Sequence, residues 1–223
     1  NMSHEIRTPL SGIVGGADLM GTTELDDDQE EYVRILRSSA DTLLNLINDI
    51  LDFSKIEAGR LEIETVDFRL RDTLDDVLTT MGVKASGKGL ELISHVASDA
   101  PDALAGDPLR LKQILINLIK NSLEAIDKGG RVVVRTRKMV DEETGAEGGV
   151  AIIVADTGPG LPDKVQSNMY EPLVTTKAEG HSGLGLSIVN KAVNDLGGRL
   201  SYSTDSQGTV FTITLPLNFN ASL

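Results

Sequence analysis

Residues 26–58 read DDDQEEYVRILRSSADTLLNLINDILDFSKIEA, and within them Tyr32, Leu36, Ser39, Leu43, Leu46, Ile50 and Phe53 recur at spacings of 4, 3, 4, 3, 4 and 3. That heptad seam predicts a long helix suited to bundle or coiled-coil packing. Upstream, residues 1–21 place Ile6, Leu10, Ile13, Ala17 and Met20 at the same rhythm. This is a second helix, and Gly21-Thr22-Thr23 supplies the break and a candidate cap between the two. Two helices with one apolar stripe each cannot enclose a core. The expected solution is a symmetric dimer whose paired hairpins form a four-helix bundle. The competing solution packs the hairpin against the rest of its own chain, but so long a second helix outreaches a small globular neighbour.

Beyond Gly59 the pattern changes. Residues 61–68 alternate like a strand, 70–86 return to helical spacing, 90–96 read as a strand and 107–126 as a strongly amphipathic helix. The β-branched runs 131–140 and 150–155 form a hairpin across an acidic loop. A helix over 184–196 stops at Gly197-Gly198, and the runs 199–204 and 209–215 make a last hairpin. The fold class is α+β: an N-terminal helical hairpin over residues 1–62, forming the dimeric bundle, followed by an α/β sandwich over 63–223. Within the sandwich the Gly/Pro-rich stretch 156–183 is long for a connection, and 162–183 read as a functional lid.

Composition narrows the function classes. Of 223 residues, 21 are basic and 34 acidic, a net charge of −13. Residues 1–65 alone carry 5 basic and 14 acidic side chains. Such acidity argues against nucleic acid as a partner, because phosphate binding needs a basic footprint. Aromatics make up 3% and Trp is absent, so aliphatic side chains must build the core. The absence of Cys excludes disulfides, thiolate catalysis and Cys-ligated zinc, and it fits a reducing, cytoplasmic compartment. No apolar run approaches the ~20 residues of a membrane span, so membrane contact is not expected of this segment. The chain opens inside a helix-like segment, which implies a longer parent, one that a membrane anchor could hold.

Four sites carry chemistry. On the first helix, Ser3-His4-Glu5-Ile6-Arg7-Thr8-Pro9-Leu10 sets His4 away from the apolar stripe, with Glu5 beside it and Thr8 one turn on. A neutral imidazole is nucleophilic near physiological pH, and a neighbouring carboxylate can fix its tautomer and accept its proton. On the helix 107–126, Asn117 and Asn121 share a face at i, i+4. They are either a solvated polar surface or the oxygen donors for a hard cation such as Mg²⁺. Asp156-Thr157-Gly158-Pro159-Gly160 follows a β run. Its carboxylate is acceptor-only, suited to an adenine amino group and mismatched to the guanine carbonyl. Gly180-His181-Ser182-Gly183-Leu184-Gly185-Leu186 opens a helix, where free N–H groups can cradle phosphate. It lacks the GK[ST] of a Walker loop and the leading βαβ unit of a dinucleotide fold.

Any one of these matches is weak, but their order along the chain is specific. Over essentially its whole length the chain resembles the transmitter core of the sensor histidine kinases of two-component signalling. SHEIRTPL (3–10) resembles the H-box, and Asp107-Pro108-Leu109-Arg110 with Asn117 to Asn121 resembles the N-box. DTGPG (156–160), GHSGLGLS (180–187) and Gly208-Thr209 resemble the glycine boxes. The resemblance implies a dimerisation and histidine-phosphotransfer hairpin joined to a Bergerat-type ATP-binding domain. That is a homodimer binding ATP and Mg²⁺, phosphorylating its own histidine and passing the phosphoryl group to an aspartate on the receiver domain of a response regulator.

Carried over position by position, His4 resembles the phosphoacceptor and Glu5 its adjoining base. Thr8 matches the position that helps orient water when the partner is dephosphorylated. Asn121 resembles the Mg²⁺ ligand and Asn117 its companion. Asp156 matches the adenine-reading carboxylate, shaped by Gly158 and Gly160, with Thr209 near the base. Gly183 and Gly185 match the phosphate-side glycines, and Lys177 is a lid candidate for the γ-phosphate. The usual Phe-rich lid box reads Met169-Tyr170-Glu171-Pro172-Leu173, and Glu124 stands where many relatives carry Lys, so one phosphate contact is either missing or supplied by Lys120 or Lys177. His95 is read as structural. Related ATPases of the gyrase and MutL type need a water-activating carboxylate where Asn117 stands, and they lack the His-Glu helix. A serine-kinase relative lacks the hairpin, and a nucleotide-sensing scaffold would not need His4, Glu5 and Asn121 together.

Overall fold

In the computed structural model, residues 2–57, 64–140, 147–167 and 185–217 are described. The chain begins with α1 (Met2–Met20) and α2 (Asp27–Glu57), which pack against one another as a hairpin. Pro9 sits inside α1, and the helix continues through it. The expected cap at Thr22-Thr23 plays a different part. Both hydroxyls donate back to the carbonyls of Leu19 and Met20 at 2.7 Å and close α1. α2 is instead started by Asp26, whose carboxylate accepts the Gln29 N–H at 2.9 Å while Gln29 Oε1 accepts the Asp26 N–H at 3.1 Å. This reciprocal pair is a capping box. Asp27, Asp28 and Glu30 in the first turn favour the positive end of the helix dipole.

The hairpin closes on Leu10 and Ala17 of α1 and on Val33 and Ala40 of α2, all buried, with Arg37 reaching Asp18 at 3.3 Å across the helices. The heptad seam lies elsewhere on α2. Tyr32, Leu36 and Leu43 remain 63%, 51% and 46% exposed, and Ile13 and Met20 of α1 are exposed with them. Among its described side chains α2 therefore has two apolar faces, one used within the chain and one left open. The side chains of Leu46, Ile50 and Phe53, and the proposed boundary at residues 62 and 63, lie outside the described residues.

The sandwich follows. β1 (Val66–Arg69) pairs antiparallel with β3 (Ala103–Gly106), flanking α3 (Leu70–Gly87) and β2 (Glu91–His95). α4 (Pro108–Ala125), β4 (Arg131–Val140), β5 (Glu147–Asp156), α5 (Asp163–Ser167), α6 (Gly185–Asp195), β6 (Arg199–Asp205) and β7 (Gly208–Leu215) complete it. The five-stranded sheet runs β2-β4-β5-β7-β6, with β2 parallel to β4 and every other neighbouring pair antiparallel. Strand alternation buries one face: Thr209, Phe211, Ile213 and Leu215 of β7, Val132 and Val134 of β4, Ile152 and Val154 of β5. Leu74 and Met81 of α3, Leu115 and Leu118 of α4 and Val189 and Val193 of α6 cover it, giving the aliphatic core that the composition demands. α6 ends as expected, with the N–H groups of Gly197 and Gly198 returning to Asn194 and Val193.

α3 is capped from a distance. Its own N-cap residue, Arg69, makes no side-chain cap bond. Asp102 does so from the loop before β3: its carbonyl accepts the Leu70 N–H at 2.8 Å and its carboxylate the Arg71 N–H at 2.9 Å, while Arg69 donates to the same carboxylate at 3.1 Å. Burial pushes this carboxyl's pKa up, but the Arg71 N–H and then the Arg69 guanidinium outweigh it and hold the carboxyl below the usual aspartate value. The stabilisation is therefore complete above the ordinary aspartate pKa and is lost as pH falls through the lowered value. Asp102→Asn is expected to cost about 1 kcal/mol at neutral pH. In urea titrations the gap to the parent chain should narrow as the pH is taken below the ordinary aspartate range. A gap that stayed constant with pH would remove the charge from the explanation.

Candidate active site

The site grows from α4. Asp107 follows β3 and caps the helix, accepting the Arg110 N–H at 3.0 Å, and Pro108 takes the first helical position, where no N–H is missed. The cap fixes where the helix begins, and the buried stripe Leu111, Ile114, Leu115, Leu118 and Ile119 fixes its rotation. Together they put Asn117 and Asn121, both half-buried, on one side of α4, with Asn121 beside the start of α6.

β5 ends in Asp156, a buried carboxylate. Its Oδ1 accepts the Gly158 N–H at 3.0 Å and the Thr209 N–H at 3.2 Å, and its Oδ2 accepts the Ser122 hydroxyl at 2.9 Å. Such a group survives burial because it is hydrogen-bonded from several sides. Two glycines allow the close packing behind it. Gly208, at φ +147°, lies so near the Asp156 carbonyl that a Cβ would overlap it. Gly160, at φ +81°, lies as near the Asp205 carbonyl. A side chain would clash at either place, and both conformations favour glycine. Thr209 Oγ1 and Thr204 Oγ1 stand 3.1 Å apart, and Thr204 also accepts the Leu161 N–H at 2.8 Å. This chain of bonds anchors the segment after the DTGPG turn to the β6–β7 hairpin.

At the other end of the site, α6 begins at Gly185. A Cβ there would come 3.5 Å from Asn121 Nδ2 and 3.9 Å from its Oδ1, so the amide lies against the start of the helix. An oxygen donor next to a helix N-terminus is a workable meeting point for a hard cation and phosphate oxygens. Lys120, one of the two lysines offered for the basic contact that Glu124 does not supply, lies 4.0 Å from Glu124 itself, one turn along α4.

The structure thus brings Asn121, Asp156, Gly158, Gly160, Gly185 and Thr209 to one end of the sandwich, with Asn117 one turn earlier on α4. Lys177, Gly183 and His181 lie outside the described residues, as does most of the proposed lid, although its start contains the short helix α5. His4 and Glu5 sit on the first turns of α1, but their side chains lie outside the description; Thr8 is exposed one turn on. α2 comes against α6, which connects hairpin and sandwich at the helix that opens beside Asn121. Sequence reasoning missed Ser122. The signal was present: Ser122 lies three residues after Ile119 and four after Leu118, a hydroxyl inside the apolar stripe, where a buried polar group needs a partner.

Comparison with known proteins agrees with this arrangement. A family model described as a histidine kinase-, DNA gyrase B- and HSP90-like ATPase matches residues 106–218, and a His Kinase A (phospho-acceptor) domain model matches residues 1–59. The chain is 39% identical over 230 residues to the signal transduction histidine-protein kinase BarA of Escherichia coli (strain K12), a match covering 100% of this chain and 25% of BarA. It is 43% identical over 223 residues to the sensor protein GacS of Pseudomonas syringae pv. syringae, covering 97% of this chain and 24% of GacS. It spans about a quarter of the length of these relatives. Full-length ShkA in complex with AMPPNP has the same fold at TM-score 0.78 and 34% identity, over 99% of this chain and 46% of ShkA. ThkA in complex with the response regulator protein TrrA is alike in fold at TM-score 0.67 and 24% identity, over 98% of this chain and 60% of ThkA. A phospho-acceptor helix pair and an ATPase-type sandwich whose buried aspartate faces a paired-asparagine helix follow each other in one polypeptide, and the chain belongs to the histidine kinase family.

Proposed function

We propose that this chain is the transmitter core of a two-component sensor, which phosphorylates His4 from ATP and passes the phosphoryl group to an aspartate of a response regulator. Residues 1–62 would be the dimerisation and phosphotransfer unit and 63–223 the ATP-binding unit. The observation that carries the reading is the buried carboxylate of Asp156, held by three donors at one end of a site whose other end is Asn121 against the first turn of α6. Adenine would present its amino group to Asp156, and the phosphates would lie toward Asn121, Gly183 and Gly185, with Lys177 from the lid on the γ-phosphate. The amide of Asn121, with Asn117 beside it, suits Mg²⁺, which when bound offsets phosphate charge and needs only a few protein oxygens. Asn117 has no basicity to activate water, which favours transfer to a side chain over hydrolysis.

In the transfer itself, a ring nitrogen of His4 attacks the γ-phosphorus in line. A P–N bond forms as the bond to the β,γ-bridging oxygen breaks; ADP leaves with that electron pair and Glu5 accepts the proton from the other ring nitrogen. Such chemistry is mostly positioning and charge neutralisation, which fits a site with few reactive side chains. The regulator's aspartate then attacks the same phosphorus and the P–N bond breaks. Thr8, exposed one turn beyond His4, would orient water for the reverse task of dephosphorylating the regulator. The open seam of Tyr32, Leu36 and Leu43, together with Ile13 and Met20, supports a homodimer joined through the hairpins. Incubation with γ-labelled ATP and Mg²⁺ tests the reading. It predicts label on the protein that is lost in acid and kept in alkali. Acid-stable label, as on a hydroxyl, would contradict it.

A further inference from the structure

The three bonds to Asp156 have a consequence for which base the site accepts. A carboxylate offers roughly four acceptor positions. On Oδ1 both are taken by the N–H groups of Gly158 and Thr209, which belong to the glycine turn and the Gly-Thr pair. On Oδ2 one is taken by the Ser122 hydroxyl, which comes from a third element, α4. One acceptor position is left. Ser122 is 2% exposed, so bulk water does not compete for its proton, and it adjoins Asn121 in the chain. The helix that sets the phosphate end of the site therefore also sets the face that the carboxylate turns to the base.

We propose that Ser122 is a specificity-determining positioning residue, which locks the Asp156 carboxylate so that its single remaining acceptor site selects a purine carrying a 6-amino group over one carrying a 6-oxo group. The inference rests on the reading of Asp156 as the base-contacting group. Ser122 touches no nucleotide itself; it acts through the carboxylate. Without its proton Oδ2 keeps two open positions, the carboxylate is free to rock about the two bonds on Oδ1, and the ligand's amino group must order it on binding. A 6-oxo purine gains nothing from the lock, because its carbonyl meets an acceptor in either case.

The test is calorimetric titration of the intact chain with ADP and with IDP in the presence of Mg²⁺, for the parent protein, Ser122→Ala, Ser122→Cys and Asp156→Asn, with thermal unfolding recorded for each. The parent is expected to prefer ADP. Ser122→Ala should lose about 5–10-fold in ADP affinity with IDP affinity unchanged, so that the preference narrows. Ser122→Cys, close in volume but a weak donor, should behave alike. An equal loss for both nucleotides would make Ser122 a packing residue and overturn the proposal, as would unchanged ADP affinity in both Ser122 variants when Asp156→Asn has lost it. A preference that survives Asp156→Asn would instead overturn the reading of Asp156 itself, and the proposal with it.

Discussion

Asp156→Asn is expected to lower ADP affinity by about 30–100-fold, the equivalent of one charge-assisted hydrogen bond exchanged for a mismatch. The size follows from the surroundings of the side chain. The N–H groups of Gly158 and Thr209 can only donate, so an amide at this position keeps its oxygen on their side and turns its NH₂ group to the side of Ser122, whose hydroxyl can rotate to accept it. The base then meets a donor where it needs an acceptor. Binding is best measured well below the unfolding midpoint, by calorimetry on the folded protein. An affinity within twofold of the parent would place the base somewhere else.

The second large effect belongs to the other end of the chain. His4→Gln is expected to reduce phosphoryl incorporation from γ-labelled ATP to background, a loss on the order of a thousandfold or more, because glutamine keeps the helix but supplies no nucleophile. ADP affinity should stay at the parent level, since His4 lies on α1 and the residues around Asp156 lie on α4, β5 and β7. That separation distinguishes a lost acceptor from a damaged pocket. A drop in both would mean that α1 helps to build the nucleotide site, and label persisting in His4→Gln would move the acceptor elsewhere.

Much of the molecule was legible because its signals were local. The helix over 107–126 could be read from Asp107-Pro108 at its start and an unbroken apolar stripe, and it runs Pro108–Ala125. The last hairpin followed from two alternating runs around Gly208. What failed to show was what only tertiary context decides. β3 is four residues, Ala-Leu-Ala-Gly, with no periodicity of its own; it is a strand because β1 lies beside it. α5 is one short turn set after Pro162. The cap of α3 comes from Asp102, 33 residues from Arg69, and no local rule finds it. In α2 the periodicity announced a helix and a seam but could not say which apolar face would meet α1. Val33 and Ala40 took that role, and the described apolar part of the heptad seam, Tyr32, Leu36 and Leu43, was left open.

The same division holds at the site. Asp156, Asn121 and Gly185 stood out because each has a recognisable neighbourhood in sequence, and the fold gathers them at one end of the sandwich. Ser122 was passed over because its meaning lies in a partner 34 residues away. A hydroxyl in an apolar stripe is nonetheless a sign, carried by the sequence itself, that something in the fold must receive its proton.

The most direct measurement is mass-spectrometric mapping of the phosphorylated residue after incubation with ATP and Mg²⁺, with digestion kept alkaline so that a phosphoramidate survives. The account predicts one modified peptide, carrying the phosphoryl group on His4. A phosphoryl group on any other side chain, with His4 unmodified, would contradict it.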